Sequence, residues 1–160
     1  MFACLSFLLH DLLRRQMPSL CFYTDTVVLK GGIILQFTSF LDNGQLTVAL
    51  TGEIDHHCAK AYIQTIISKI EAYTPRICIL DFQEVTFMDS SGIAVVINAL
   101  RNMAQIEGKL ILTGISEQPM RVFKTSGIDK LVEILNAHNI SLNEFFEAFD
   151  KENLPNLNLE

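Results

Sequence analysis

Ile77-Cys78-Ile79-Leu80, followed by Met88-Asp89-Ser90-Ser91-Gly92, is the stretch from which the fold is read. An unbroken apolar run suits a central strand covered on both faces. The strand is expected over 76–82, with a loop carrying Val85, Phe87 and Met88 after it. Beyond Gly92, the residues Ile93, Val96, Ile97, Leu100 and Ala104 recur at i, i+3, i+4, i+7 and i+11, which is one face of a helix. Gly108 ends that helix, and Leu110-Ile111-Leu112 reads as the next strand. Strand, helix and strand in this order form the repeating unit of a parallel sheet clad in helices.

Upstream of this unit, 33–40 is β-branched and aromatic, and Asp42-Asn43-Gly44 supplies the residues of a tight hairpin turn. Leu46, Val48 and Leu50 alternate with Gln45, Thr47 and Thr51, so 45–51 reads as a half-buried strand antiparallel to the one before it. A helix is expected over 57–73, with Ala59, Ile63, Ile66, Ile67 and Ile70 on one face, and Thr74-Pro75 stops it. Downstream, 117–125 reads as a short helix closed by Ser126-Gly127, and 131–135 as a short strand or extended segment. Ser141-Leu142-Asn143-Glu144 matches a capping box and opens a last helix through Phe145, Phe146 and Phe149. The expected fold is therefore α/β: a single domain with one mixed β-sheet and about four α-helices over 35–150. A polar tail follows over 151–160.

The chain of 160 residues is 49% apolar, enough to bury one full core. Charged residues make up 19% and the net charge is −6, which argues against nucleic acid as a direct partner because a basic stripe is its usual footprint. A basic patch on a partner protein suits this balance better. Cys4, Cys21, Cys58 and Cys78 contain no C-x-x-C pair and read as buried thiols in a reducing cytosol. No metal or cofactor site is expected, since His56 and His57 are adjacent and on a helix diverge by about 100°. The apolar run from Phe2 to Leu9 is cut by His10, Asp11, Arg14 and Arg15, short of the ~20 residues that cross a bilayer, and no basic segment precedes it as a signal peptide requires.

Residues 1–34 lack the punctuation of the remainder. Phe2, Leu5, Leu9 and Leu12 fit one face of an amphipathic helix. A different reading starts from Lys30-Gly31-Gly32, which AAA-GGA-GGN would encode, a purine-rich ribosome-binding string. Leu35 follows at a short gap, and on this reading its codon would be the alternative start TTG. On this reading 1–34 is an extension, either a translated upstream region or disordered, and the native chain begins at Leu35.

Chemistry concentrates at Asp89-Ser90-Ser91-Gly92. Asp and Ser favour helix starts because their side-chain oxygens accept first-turn N–H groups. One such residue suffices for capping, so the doubled serine leaves a spare hydroxyl at the positive end of a helix, a place suited to phosphate. A serine hydrolase would need G-x-S-x-G with a histidine, and the first glycine is missing. The phosphate-binding string G-x-x-x-x-G-K-[ST] is absent as well. The chain is therefore not expected to be an enzyme. Asp55 reads as a cap for the helix after it, whereas His56 and His57 have no evident structural task and are candidates for a partner surface. Ala94 and Val95 lie off the expected buried face. They either form a small apolar contact beside Ser90 or are buried by packing on both sides of the helix.

Gly52-Glu53-Ile54-Asp55-His56-His57 after a strand and Phe87-Met88-Asp89-Ser90-Ser91-Gly92-Ile93 before a helix together resemble the STAS-domain anti-sigma factor antagonists. The Asp-His-His form is similar to the sporulation stage II type of endospore-forming bacteria, and Thr125-Ser126-Gly127-Ile128 matches the family's late helix end. The resemblance spans 35–150; the N-terminal extension and a longer tail depart from it. It implies a cytoplasmic partner-switching protein. The unphosphorylated form would bind an anti-sigma factor that is also a serine kinase, freeing the sigma factor, and phosphorylation of Ser90 would abolish binding until a serine phosphatase resets it. Ser91 is the runner-up phosphorylation site. Asp89 would orient the helix start, and Gly92 would permit close approach by the kinase. The competing expectation is a STAS module that is not phosphorylated and serves a lipid or anion transport system.

Overall fold

The computed structural model describes residues 21–28, 32 and 34–135. The helix expected from Ser141 and the polar tail lie outside the described residues. Six strands form one sheet in the order β1 to β6: β1 (Cys21–Val28), β2 (Ile34–Asp42), β3 (Gln45–Ile54), β4 (Ile77–Met88), β5 (Lys109–Thr113) and β6 (Glu133–Leu135). The first three are antiparallel neighbours, and β3 to β6 run parallel. The sheet is thus mixed, as expected. Among the described residues there are three α-helices: α1 (His56–Tyr73), α2 (Ser90–Gln105) and α3 (Glu117–Ser126), the last followed by a 3-10 turn at Ile128–Lys130. Of the roughly four helices expected, three fall among the described residues.

The β2–β3 hairpin turns at Asn43 and Gly44, whose φ values of 47° and 81° are the paired positive values of the tight turn that matches strand twist. Each parallel step crosses over through a helix, and right-handed crossovers place successive helices on one face. There Leu46, Val48, Leu50, Cys78, Leu80, Leu110 and Leu112 from the strands meet Tyr62, Ile66 and Ile70 of α1, Val96 and Met103 of α2, and Phe123 of α3. Tyr62 sits edge-on to Phe37 at 4.9 Å between ring centroids and donates its hydroxyl to the carbonyl of Thr51 at 2.6 Å. A ring pair of this kind adds about 0.5–1.5 kcal/mol beyond its buried area. Ile77, Ile79 and Ile111 form a separate buried cluster with Leu135. Because strand residues alternate faces, this cluster lies on the other side of the sheet, which explains the unbroken apolar run of β4.

Two readings change. Residues 83–88, expected as a loop, continue β4 to Met88. Between Asp81 and Glu84, and again between Val85 and Phe87, β4 holds one residue more than β3 does opposite. Past the first half of β4, which is buried on both faces, these bulges bring every third residue inward, Phe82, Val85 and Met88, and that erases the strand signature. The second change concerns Gly108. The positive φ after α2 belongs to Glu107 at 56°, while Gly108 is small because a Cβ there would meet Met103 Cε at 2.4 Å and the Pro75 carbonyl oxygen at 2.9 Å.

At the N-terminus the sheet carries a further strand. Within the stretch expected to lie outside the domain, β1 pairs with β2 along its whole length, Cys21 opposite Leu41 through Val28 opposite Ile34. Asp25 on β1 forms an ion pair with the buried Lys69 of α1. Cys58 and Cys78 are free and buried, as expected. Among the described residues no helix is long and apolar enough to cross a membrane.

Candidate functional site

Ile54 and Met88, the last residues of β3 and β4, are parallel partners, so the Gly52–His57 and Met88–Gly92 segments leave the sheet side by side. The Asp89 N–H donates to the carbonyl of Ile54 at 3.2 Å and stitches them together. The backbone of Met88 is clamped from α3: its N–H donates to Gln118 Oε1 at 2.9 Å, and Gln118 Nε2 donates to its carbonyl at 2.8 Å. Sequence reading missed Gln118, since its partner lies thirty residues away and no local pattern betrays the contact.

Asp89 has extended backbone and is the N-cap of α2; its Oδ1 accepts the Ser91 N–H at 2.6 Å. Ser90 is the first helical residue and is exposed, whereas Ser91 is half-buried. Capping is thus done by Asp89, and the Ser90 hydroxyl, at the start of a helix, has no hydrogen-bond partner among the described residues. Gly92 is buried, and a Cβ on it would meet Met88 Cγ at 2.2 Å and Sδ at 2.3 Å. This internal contact is by itself sufficient reason for glycine at this position.

Asp55 caps α1 in the same way, its Oδ1 accepting the N–H groups of His57 at 2.9 Å and Cys58 at 3.0 Å. The Cys58 N–H is the main cause that holds the Asp55 carboxyl below its ordinary value. Burial pushes the neighbouring Cys58 thiol up. His56 and His57 are exposed, and their rings do not diverge as expected: the centroids lie 3.7 Å apart at 41°. One ligand atom from each of Asp55, His56 and His57 falls within 4.8 Å of the others. That spacing suits a ligand set, while the positive end of α1 and the capping duty of Asp55 both oppose a cation there.

On the far side of Ser90, α2 and α3 enclose an open groove of about 330 Å³ lined by Ser90, Ile93, Arg121, Val122, Thr125 and Ser126. Ile93, assigned from sequence to the buried face, is half-buried: it packs against the core and also lines the groove. Arg121 forms an ion pair with Glu117 one turn away. Ala94 is exposed, as an apolar surface contact requires, but Val95 is 1% exposed and belongs to the core, packed from both sides of α2. Phe87 is an exposed aromatic at the end of β4 beside Glu53, a surface feature that the loop reading did not single out. The site therefore joins two helix starts, a free serine hydroxyl, an imidazole pair and an apolar groove with one arginine.

The family model for the STAS domain matches residues 40–144. The anti-sigma-B factor antagonist of Listeria monocytogenes is 29% identical over 98 residues, covering 59% of this chain and 82% of that protein. The anti-sigma F factor antagonist of Lysinibacillus sphaericus is 31% identical over 83 residues, covering 52% of this chain and 71% of that protein. Among solved structures, the Bacillus cell fate determinant SpoIIAA in its phosphorylated form superposes with a TM-score of 0.53 at 23% identity, over 81% of this chain and 99% of that one.

Proposed function

The chain belongs to the STAS-domain family, and from that premise we propose that it is an anti-sigma factor antagonist switched by phosphorylation at Ser90. In this role the unmodified protein binds an anti-sigma factor serine kinase in the cytosol and so releases a sigma factor. The Ser90 hydroxyl oxygen then attacks the γ-phosphorus of ATP bound with magnesium on the kinase. Its proton passes to a base of the kinase and ADP departs. A serine phosphatase restores the hydroxyl by transferring the phosphoryl group to water. The chain contributes a surface and a hydroxyl to both steps and is itself a regulator, not an enzyme. Sporulation is the process we assign, on the strength of Asp55-His56-His57.

The observation that carries this reading is the free, exposed hydroxyl of Ser90 beside an N-cap already supplied by Asp89. A capping serine would have to surrender its hydrogen bond to be modified; Ser90 does not. Phosphoserine carries about −1.5 to −2 charges at neutral pH. The helix dipole stabilises a negative group at its start by about 0.3–1 kcal/mol, up to ~2 when partly buried, so the fold tolerates the modification. An interface does not. A partner carboxylate some 5 Å away repels each unit of charge by about 3 kcal/mol at an effective dielectric near 20, and every 1.4 kcal/mol is tenfold in affinity. Ser90, Ala94, Ile93 and the His56–His57 pair form the surface that we assign to the kinase.

Intact mass after incubation with ATP, magnesium and the cognate anti-sigma kinase tests the reading. One phosphate, mapped to Ser90 and absent from Ser90→Ala, is the expected result. No increment would favour a STAS module that binds without being phosphorylated; an increment on Ser91 alone would move the switch by one residue.

A further inference from the structure

Ser90 and Arg121 line the same groove, one from the first turn of α2 and the other from α3. The ion pair that occupies Arg121 joins two exposed side chains, 76% for Arg121 and 80% for Glu117. Exposed pairs at this helical spacing are weakly held. The groove's other polar donors are already engaged: Thr125 Oγ1 donates to the Arg121 carbonyl at 2.8 Å and Ser126 Oγ to the Phe123 carbonyl at 3.0 Å. Arg121 is therefore the one cation among the groove's described lining residues, held by a partner that it exchanges readily. Its planar fork of donors matches phosphate, and a doubly charged phosphate competes well against one carboxylate. Ile93 and Val122 keep part of the groove apolar.

We propose that a phosphate on Ser90 is received within the same molecule by Arg121, which leaves Glu117 to bridge α2 and α3. The inference rests on the reading of Ser90 as the modified residue. Phosphorylation then does two things to a partner: it adds negative charge at the helix start, and it straps the groove that the unmodified protein leaves open. The Glu117 carboxylate, no longer neutralised by Arg121, is left unpaired beside the strap, while the net charge gained is that of the phosphate alone. The switch is thus partly a change of shape in the surface offered, made without any change of fold.

The test uses the full chain with phosphoserine installed at codon 90 by suppression, so that no kinase is needed. The second ionisation of the phosphate is followed by phosphorus NMR against pH. A guanidinium in contact lowers that ionisation, so it should rise by about half a unit or more in Arg121→Gln. Arg121→Lys should restore part of the difference, having charge without the fork. Lys124→Gln removes an exposed cation from the same helix outside the groove lining and should leave the titration unchanged. Asp89, Glu117 and the His56–His57 pair are common to all variants, so the comparison isolates Arg121. Equal titrations with and without Arg121, or an equal shift from Lys124→Gln, would overturn the proposal. Failure of a kinase to modify Ser90 would appear in the mass experiment alone and leave this result standing.

Discussion

Gly92→Ala sets two effects of opposite sign against each other. In a helix interior alanine is better than glycine by up to about 1 kcal/mol, so propensity alone expects a more stable protein. Packing expects the reverse. The added Cβ would lie 2.2 Å from Met88 Cγ and 2.3 Å from its Sδ, against about 3.5–4.0 Å for carbon atoms in contact. Met88 is fully buried, so it has no solvent to swing into and must shift by about 1.5 Å within a filled core. Overpacking of this kind costs about 1–3 kcal/mol, and an overlap so deep belongs at the upper end. The net expectation is destabilisation by about 1–2 kcal/mol. In urea, with a slope near ~1.5 kcal/mol/M, the unfolding midpoint should fall by about 1 M with the slope unchanged. The same substitution made on a Met88→Ala background should be neutral or stabilising, because the obstacle is gone, which gives a coupling above ~1 kcal/mol between the two positions. A midpoint that rises in the single variant, or a vanishing coupling, would refute the claim that Gly92 is present to seat Met88.

Three further outcomes follow from the same structure. Asp25→Ala removes the carboxylate that pairs with buried Lys69, and with Asp25 half exposed the expected loss is about 1–2 kcal/mol by thermal or urea unfolding; no loss would mean that β1 is an ornament to the domain. Intact mass of the protein expressed from its own promoter bears on the same segment, since a start at Leu35 would leave both β1 and Asp25 out of the chain. Gln118→Ala deletes both hydrogen bonds to the Met88 backbone, about 1–3 kcal/mol locally, so the Met88 amide should exchange with solvent some 10- to 100-fold faster while α1 amides keep their rates. The Asp55 carboxyl is held below its ordinary value of 3.8, so its share of stability is complete above that value and lost as pH falls through the lower, folded value. Asp55→Asn keeps a capping oxygen and should flatten the acid limb of the stability curve below about pH 4; an unchanged acid limb would contradict the assignment.

Much of the fold is legible because its signals are local. The Asn43-Gly44 turn, the αL exit at Gly127 and the apolar faces of α1 and α2 each sit within a few residues of what they determine. The second half of β4 is not, because its bulges replace the alternation by which a strand is recognised, and only the partner strand shows where the extra residues fall. Strand β1 escapes for a related reason: what anchors it is pairing with β2 and a lysine on α1, neither visible within its own sequence. At the site, Asp89 as cap and Ser90 as spare hydroxyl follow from residue chemistry alone. For Val95, which sequence leaves open, burial holds because α2 packs against α1 as well as the sheet, so its buried arc is wider than one stripe. Gln118 and Arg121 enter the site through the tertiary fold, from a helix with no sequence tie to Ser90.

Titration calorimetry of the anti-sigma kinase against three forms of the chain tests the switch most directly: unmodified, Ser90→Ala, and phosphorylated at Ser90. The account predicts equal, tight binding for the first two and a loss of at least a hundredfold for the third, with all three unfolding cooperatively. Equal affinity for the phosphorylated form would contradict it.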